Sequence, residues 1–284
     1  MTERPASALI EPQDLARLMA DAPANLVLID ATYGVMNPVY TQARIGNAVF
    51  FDIDDIANHD NPLPHMVPDA DDFAAAVTAM GIGNDSQIVI YDQSGLAMAA
   101  ARVWWMFRLY GHDNVRVLNG GLPLWVAMGL PMNVGPAAPT PAATTPFRAT
   151  YRPHLVCDHA AVDDARTRPD ECLILDARSP DRFTGSTPEP RPHLTSGHIP
   201  NSRNLFFMDI IDPGTARLIP NHPSVAEMIR AATGKRIITS CGSGVTACVL
   251  ALALHEMGRD DVAVYDGSWC EWGQKPLNSA ISVG

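Results

Sequence analysis

Residues 236–247 read Arg236-Ile-Ile-Thr-Ser-Cys241-Gly-Ser-Gly-Val-Thr-Ala247, and Cys248-Val-Leu-Ala-Leu-Ala-Leu-His255-Glu-Met257 follows directly. A short apolar run, a turn with two glycines and an apolar stretch of helical length predict a strand, a tight turn and a helix. That succession is the unit of an α/β fold with a parallel sheet. In open sheets of this kind ligands gather beyond the carboxyl ends of the strands, and Cys241 stands at such an end. The turn's N–H groups and the helix N-terminus favour negative charge, so they would stabilise a thiolate and cradle an anion beside it. A cysteine after an apolar strand is most often a buried structural residue. The glycines and hydroxyls crowded behind this one favour chemistry instead, with Cys241 as nucleophile and Gly242, Gly244, Val245 and Thr246 as the cradle.

The same pattern occurs twice. Leu26-Val-Leu-Ile-Asp30-Ala-Thr recurs as Leu173-Ile-Leu-Asp176-Ala-Arg-Ser, Phe50-Phe51-Asp-Ile as Phe206-Phe207-Met-Asp, and Gln87-Ile-Val-Ile-Tyr-Asp92 as Arg236-Ile-Ile-Thr-Ser-Cys241. Later, Gly111, Gly120 and Trp125 repeat as Gly258, Gly267 and Trp272 at a constant separation of 147 residues. Such self-similarity predicts two copies of one module, the period being too long for a solenoid. Prolines at 131, 136, 139, 141, 146 and 153 suit an extended connector. The expected organisation is a first domain over 1–140, a linker over 141–153 and a second domain over 154–284. Within each, strand-length runs alternate with helix-period stretches such as 96–110 and 245–257, and Gly111 and Gly258 stand where a glycine would end the long helix.

The copies differ in ways that carry meaning. Asp92 takes the place of Cys241, and a carboxylate is a poor nucleophile, so the first copy is expected to be catalytically inactive. Each copy also has its own proline-stiffened polar insertion, the kind of loop that lines a working face. The first supplies Asp54-Asp-Ile-Ala-Asn-His-Asp-Asn-Pro-Leu-Pro-His65-Met, and the second supplies Ser179-Pro-Asp-Arg182-Phe-Thr-Gly-Ser-Thr-Pro-Glu-Pro-Arg191-Pro-His193. A single arginine or histidine in such a loop is usually just solvated. Two arginines in one insertion raise the prospect of an anionic substrate, because the guanidinium fork grips a carboxylate through parallel hydrogen bonds.

Composition narrows the classes. Lys+Arg 20 against Asp+Glu 31 gives a net charge of −11, which argues against nucleic acid or a membrane surface as partner. Five cysteines, at 157, 172, 241, 248 and 270, form an odd set without a CxxC pair, and Met1-Thr-Glu-Arg-Pro opens no apolar leader. A reduced, cytoplasmic setting is expected. His154, Cys157 and His159 lack a second pair of ligands, so neither a metal nor any other cofactor is called for. Trp104, Trp105 and Phe107 have helical spacing and read as core.

The Cys241–Thr246 loop, Arg102-Val-Trp-Trp-Met-Phe107, Phe50-Phe-Asp-Ile-Asp54 and the Pro190-Arg191 ending of the insertion resemble the tandem-domain rhodanese family, 3-mercaptopyruvate sulfurtransferase type. The resemblance runs from about Leu9 to Trp272. It implies two tandem rhodanese-like domains, each a parallel sheet flanked by helices on both faces. It also implies sulfur passing from 3-mercaptopyruvate through a Cys241 persulfide to a thiol acceptor (a small thiol or a thioredoxin-like protein) or to cyanide, with release of pyruvate. Thiosulfate-preferring relatives carry Arg and Lys after the cysteine; Gly242 and Ser243 here point to mercaptopyruvate, with thiosulfate as the alternative donor. Arg182 and Arg191 match the arginines that hold the substrate, and Asp54, His65 and Ser243 match a serine-protease-like relay. Eukaryotic relatives have a tyrosine and a proline before Arg-Val-Trp-Trp, where Gly95–Ala101 stands here, which puts any role of that tyrosine in doubt. Two other readings stay open on the residues alone. A Cys-x5-Arg phosphatase needs an arginine where Ala247 stands, and a non-catalytic sensor would use the cysteine only as an oxidisable group. Cys248 is expected about two helical turns from Cys241, too far to act as its resolving partner.

Overall fold

The computed structural model describes residues 7–33, 42–135, 143 and 145–284. The expected linker therefore lies in part outside the described residues. The chain forms two compact units that divide at Arg152/Pro153 but exchange short segments. His59–Met66 belongs to the second unit and Ile211–Leu218 to the first. In the first unit, the Arg217 guanidinium pairs with Glu11 at 2.9 Å and the Leu218 N–H donates to Asn119 Oδ1 at 2.8 Å.

The strands in chain order are β1 (Leu9–Ile10), β2 (Leu26–Asp30), β3 (Ala43–Arg44), β4 (Val49–Phe50), β5 (Gln87–Tyr91), β6 (Val115–Leu118) and β7 (Asn133–Val134). There follow β8 (Val156–Cys157), β9 (Cys172–Asp176), β10 (Arg203–Asn204), β11 (Arg236–Ser240) and β12 (Ala263–Tyr265). The first unit's sheet has the order β1-β6-β5-β2-β4 and the second unit's the order β8-β12-β11-β9-β10, every pair parallel. Strand for strand these are one topology. β3 and β7 form a separate antiparallel pair in the first unit.

Parallel strands covered on both faces read as near-continuous apolar runs. In the first unit Leu28, Val89 and Tyr91 pack with Leu15, Leu122 and Trp125, whereas the alternate residues Ile29, Ile88 and Ile90 are fully buried toward the opposite face. The long helices Met98–Leu109 and Ala247–Glu256 are apolar nearly all round, because each is buried along its length rather than on one stripe. Both end as expected. Gly111 (φ +92°) and Gly258 (φ +85°) supply the left-handed residue. His112 N–H then reaches Phe107 O at 2.9 Å and Arg259 N–H reaches Leu254 O at 3.0 Å, closing the last turn. The two tryptophans near the module ends also act alike: Trp125 Nε1 donates to Pro131 O at 3.0 Å and Trp272 Nε1 to Ala280 O at 2.9 Å.

Register refines the repeat. Asp30 lies opposite Tyr91 and Phe50, and Asp176 lies opposite Ser240 and Asn204. Asn204, not Phe206, therefore holds the Phe50 position, and the second copy's insertion is two residues shorter than the Phe-Phe match implied. Asp92 and Cys241 are true equivalents. The carbonyl of Asp92 accepts from Leu122 N–H at 2.9 Å, and that of Cys241 accepts from Trp269 N–H at 3.0 Å.

Burial pushes the Asp92 carboxyl up, against the hydrogen bonds from Ser94, Gly95 and Ala100 that pull it down. A carboxyl raised on folding takes up a proton in the folded state, so its ionisation lowers stability as pH rises from the ordinary aspartate range through the raised value. Asp92→Asn should therefore match the wild-type Tm in acid and exceed it progressively toward neutral pH, as read by thermal melts across a pH series. A constant difference at every pH would remove that assignment.

Candidate active site

The site is built in the second unit where β11 ends. Cys241 leaves the strand with its side chain 2 % exposed. Two of the loop's carbonyls are tied down: Cys241 O accepts from Trp269 N–H at 3.0 Å, and Gly242 O accepts from Cys270 N–H at 2.9 Å. A trans peptide points its N–H opposite to its carbonyl, so the N–H groups of Gly242 and Ser243 face away from the short helix Ser268–Trp272. Gly244 adopts φ +76°, which glycine reaches without a Cβ penalty, and the helix begins at Ala247. Cys248 is consequently in the helix's first turn, closer to the loop than a two-turn separation implies, because the five residues after Cys241 are not helical. Its Sγ donates to Gly244 O at 3.2 Å.

Ser268 holds the cysteine in place. Cys241 N–H donates to Ser268 Oγ at 3.1 Å, and that hydroxyl donates to Tyr265 O at 2.8 Å while lying 4.0 Å from Cys241 Sγ. Ser268 is fully buried at φ +48°, a strained conformation for a residue with a Cβ. Its counterpart in the first copy is Gly121 at φ +54°, where an added Cβ would stand 2.6 Å from Asp92 O. The copy with the cysteine bears the strain and gains a hydroxyl.

Arg182 is aimed at the loop by a chain of buried charges. Arg178 contacts Asp176 through Nη2 at 2.6 Å and Glu189 through Nη1 at 2.8 Å, and its guanidinium lies 4.1 Å from the Trp269 ring centroid. Burial works against the Arg178 charge, but Asp176 and Glu189 outweigh it and push the group up. Glu189 in turn takes Arg182 Nη2 at 2.6 Å. A Cβ placed on Gly242 would stand 3.3 Å from Arg182 Nη2, so the guanidinium covers the residue after the cysteine and would have to shift slightly to admit a side chain there. In the first copy Thr32 takes the place of Arg178 and bonds Asp30 instead, its N–H at 3.0 Å.

Cys270 shows what else is gathered here. Burial pushes its thiol up to about 11; Arg191 pulls it down, Cys241 and Glu189 push it up, and Arg182 pulls it down. Arg182, Arg191 and Cys241 thus all act on one buried sulfur. Ser243 and Thr246 are half-buried and Val245 is buried. His65, 8 % exposed with φ +62°, falls in the second unit with Leu63, which packs on the cluster of Cys157, Tyr265 and Trp272. Asp54 is exposed in the first unit, its N–H bonded to Asp52 Oδ1 at 2.9 Å.

The rhodanese-like domain family matches residues 11–128 and again 160–275, the two modules in turn. The chain belongs to the rhodanese-like family. Among its relatives, thiosulfate/3-mercaptopyruvate sulfurtransferase 1, mitochondrial, of Arabidopsis thaliana is 39% identical over 280 residues, covering 89% of this chain and 73% of that one. The 3-mercaptopyruvate sulfurtransferase of Homo sapiens is 36% identical, covering 82% and 78%. The crystal structure of SseA from Escherichia coli, a 3-mercaptopyruvate sulfotransferase, superposes with a TM-score of 0.78 at 32% identity, covering 93% of this chain and 99% of that one. The tandem rhodanese-like fold expected from the sequence is therefore present.

Arg178, Glu189 and Ser268 were not singled out by the sequence reading. Their signal lay in the repeat itself: Asp30-Ala-Thr32 against Asp176-Ala-Arg178, and Gly121 against Ser268. Removing one member of a buried ion network costs about 3–5 kcal/mol. Arg178→Met should lose that much stability in urea unfolding and raise KM for an anionic substrate, since Glu189 would no longer be fixed beneath Arg182. Ser268→Gly relieves the backbone strain but strips Cys241 N–H of its acceptor. It should fold with near-native stability and turn over about fivefold more slowly, a hydrogen bond of roughly 1 kcal/mol being lost where the nucleophile is positioned; unchanged turnover would leave Ser268 a packing residue only.

Proposed function

We propose that this chain is a 3-mercaptopyruvate sulfurtransferase that works through a persulfide on Cys241. The observation that carries the reading is the Arg182 guanidinium held over Gly242, next to the buried cysteine, by Glu189. An α-keto acid brings a carboxylate and a carbonyl to that side of the loop, and Arg182 and Arg191 hold them. The Cys241 thiolate attacks the mercapto sulfur. An S–S bond forms and the C–S bond breaks, its electron pair passing to the enolate, which takes a proton to become pyruvate. The N–H groups of the loop stabilise the persulfide as they would an oxyanion. An acceptor thiolate, from a small thiol or a thioredoxin-like protein, then attacks the outer sulfur and the electron pair returns to Cys241. Cyanide does the same and leaves as thiocyanate. Two half-reactions through a covalent intermediate give ping-pong kinetics.

Several finer assignments belong to this reading. The relay of Asp54, His65 and Ser243 moves the proton that thiol and enolate exchange. The first domain, 1–140, is inactive through Asp92; residues 141–153 link it to the catalytic domain, 154–284. Five free cysteines suit a reducing, cytoplasmic setting, although one plant relative carries mitochondrial in its name. Among the described residues no helix is long and apolar enough to cross a membrane. The net charge of −11 disfavours nucleic acid. Thiosulfate is the second donor to weigh, because the Arabidopsis relative is named for both substrates.

Incubation with 3-mercaptopyruvate should add about 32 Da, one sulfur atom, to Cys241 and to no other cysteine by peptide mass spectrometry. Cys241→Ser should abolish both adduct and turnover; retained turnover would exclude the mechanism. Arg182→Ala and Arg191→Ala should each raise KM about tenfold or more, as expected for a lost charge-assisted contact, and side-by-side kcat/KM values with thiosulfate establish the donor.

A further inference from the structure

Arg182 stands on a helix that has no anchor of its own in the core. The helix Pro180–Thr184 is five residues long, and none of them is buried. A helix this short is marginal in water unless something outside it fixes it. The ion pair with Glu189 fixes the end of the guanidinium, not the backbone that carries it.

What fixes the backbone comes from two later stretches of the second unit, 197–198 and 281–284. The His198 ring stacks on Phe183, centroids 3.9 Å apart and planes 13° from parallel, and its Nδ1–H donates to Phe183 O at 2.8 Å. Gly284 N–H donates to Thr184 O at 3.0 Å. The last carbonyls of a helix have no partner inside it, and here the two that follow Arg182 are both taken from outside. The two stretches are also joined to each other. His198 N–H donates to Ser282 O at 2.9 Å, and Ser282 N–H donates to His198 O at 3.0 Å.

Glycines permit this close approach. Gly197 adopts φ +128°, and a Cβ there would stand 2.6 Å from Ile281 Cγ2. A Cβ on Gly185, which ends the helix, would stand 3.1 Å from Gly197 N and 3.3 Å from Val283 Cγ1. The joined stretches in turn reach rigid structure at two points. Gly197 O accepts from Arg178 Nη2 at 2.8 Å, and Ile281 packs on the core cluster that contains Trp269 and Trp272.

We propose that His198 and Ser282 are positioning residues for the sulfur donor: they hold the backbone of Arg182 so that its guanidinium is in place before the donor arrives. The inference rests on the reading that Arg182 holds the donor, and both residues act through it. A side chain ordered in advance spares the binding step the entropy of ordering it, so the effect falls on KM rather than on kcat.

The test measures 3-mercaptopyruvate kinetics for wild type, Arg182→Ala, His198→Ala, Ser282→Pro and the double variant Arg182→Ala/His198→Ala. Ser282→Pro leaves the arginines untouched and removes the N–H that bonds His198 O. His198→Ala and Ser282→Pro should each raise KM about two- to tenfold, the cost of ordering one long side chain on binding, while kcat stays near wild type. His198→Asn, whose amide can still donate to Phe183 O, should recover part of the loss. The double variant should have the KM of Arg182→Ala alone, because the hold has nothing left to act on. Hydrogen exchange across 180–187 should quicken in both single variants, while 247–256 keeps its protection. An unchanged KM in His198→Ala and Ser282→Pro overturns the inference. So does a double variant in which the two KM effects multiply, or exchange that rises equally in 180–187 and 247–256. If Arg182→Ala alone leaves KM unchanged, the donor reading of Arg182 falls first and this inference falls with it.

Discussion

The orientation of two peptide planes underlies the chemistry. Once Cys241 O and Gly242 O are bonded to the N–H groups of Trp269 and Cys270, the following N–H groups have a fixed direction. A loop anchored in this way needs no reorganisation when charge appears on the sulfur, which is the condition under which backbone dipoles stabilise an anion well. The anchoring helix is short, and its first residue is itself strained. That strain is tolerated because Tyr265 O and Cys241 N–H both bond the Ser268 hydroxyl.

The second constraint is charge at low dielectric. Asp176, Arg178, Glu189 and Arg182 alternate in sign along a path from the end of β9 to the edge of the loop. All but Arg182 are nearly or fully buried, so each depends on its neighbour for compensation. The consequence is a guanidinium whose position is set by the core of the domain rather than by a mobile loop. Glycine at 242 suits the same arrangement, since a side chain there would press on the guanidinium.

The parallel sheets, the doubled module and the cysteine loop were legible in the sequence because each leaves a local trace: apolar runs of strand length, glycines at helix ends, and a Gly-Ser-Gly turn. Phe50-Phe51 misled by composition, since Phe206-Phe207 resembles it while hydrogen-bond register selects Arg203–Asn204. Arg178, Glu189 and Ser268 escaped because their importance lies in contacts across 11 and 27 positions of sequence, which no local pattern records. Comparing the copies position by position would have exposed two of them, as the places where a small neutral residue in the first copy became a charged or strained one in the second.

Exchange of segments between the units bears on how the chain is made. His59–Met66, including Leu63 against the second unit's core, is synthesised well before the rest of that unit, whereas Ile211–Leu218, with Arg217 and Leu218 on Glu11 and Asn119, emerges long after the first unit is otherwise complete. Domains generally fold in order as they leave the ribosome. Here each unit takes in a short segment encoded in the other's stretch of messenger, so the last contacts of either one form only after both stretches have been made.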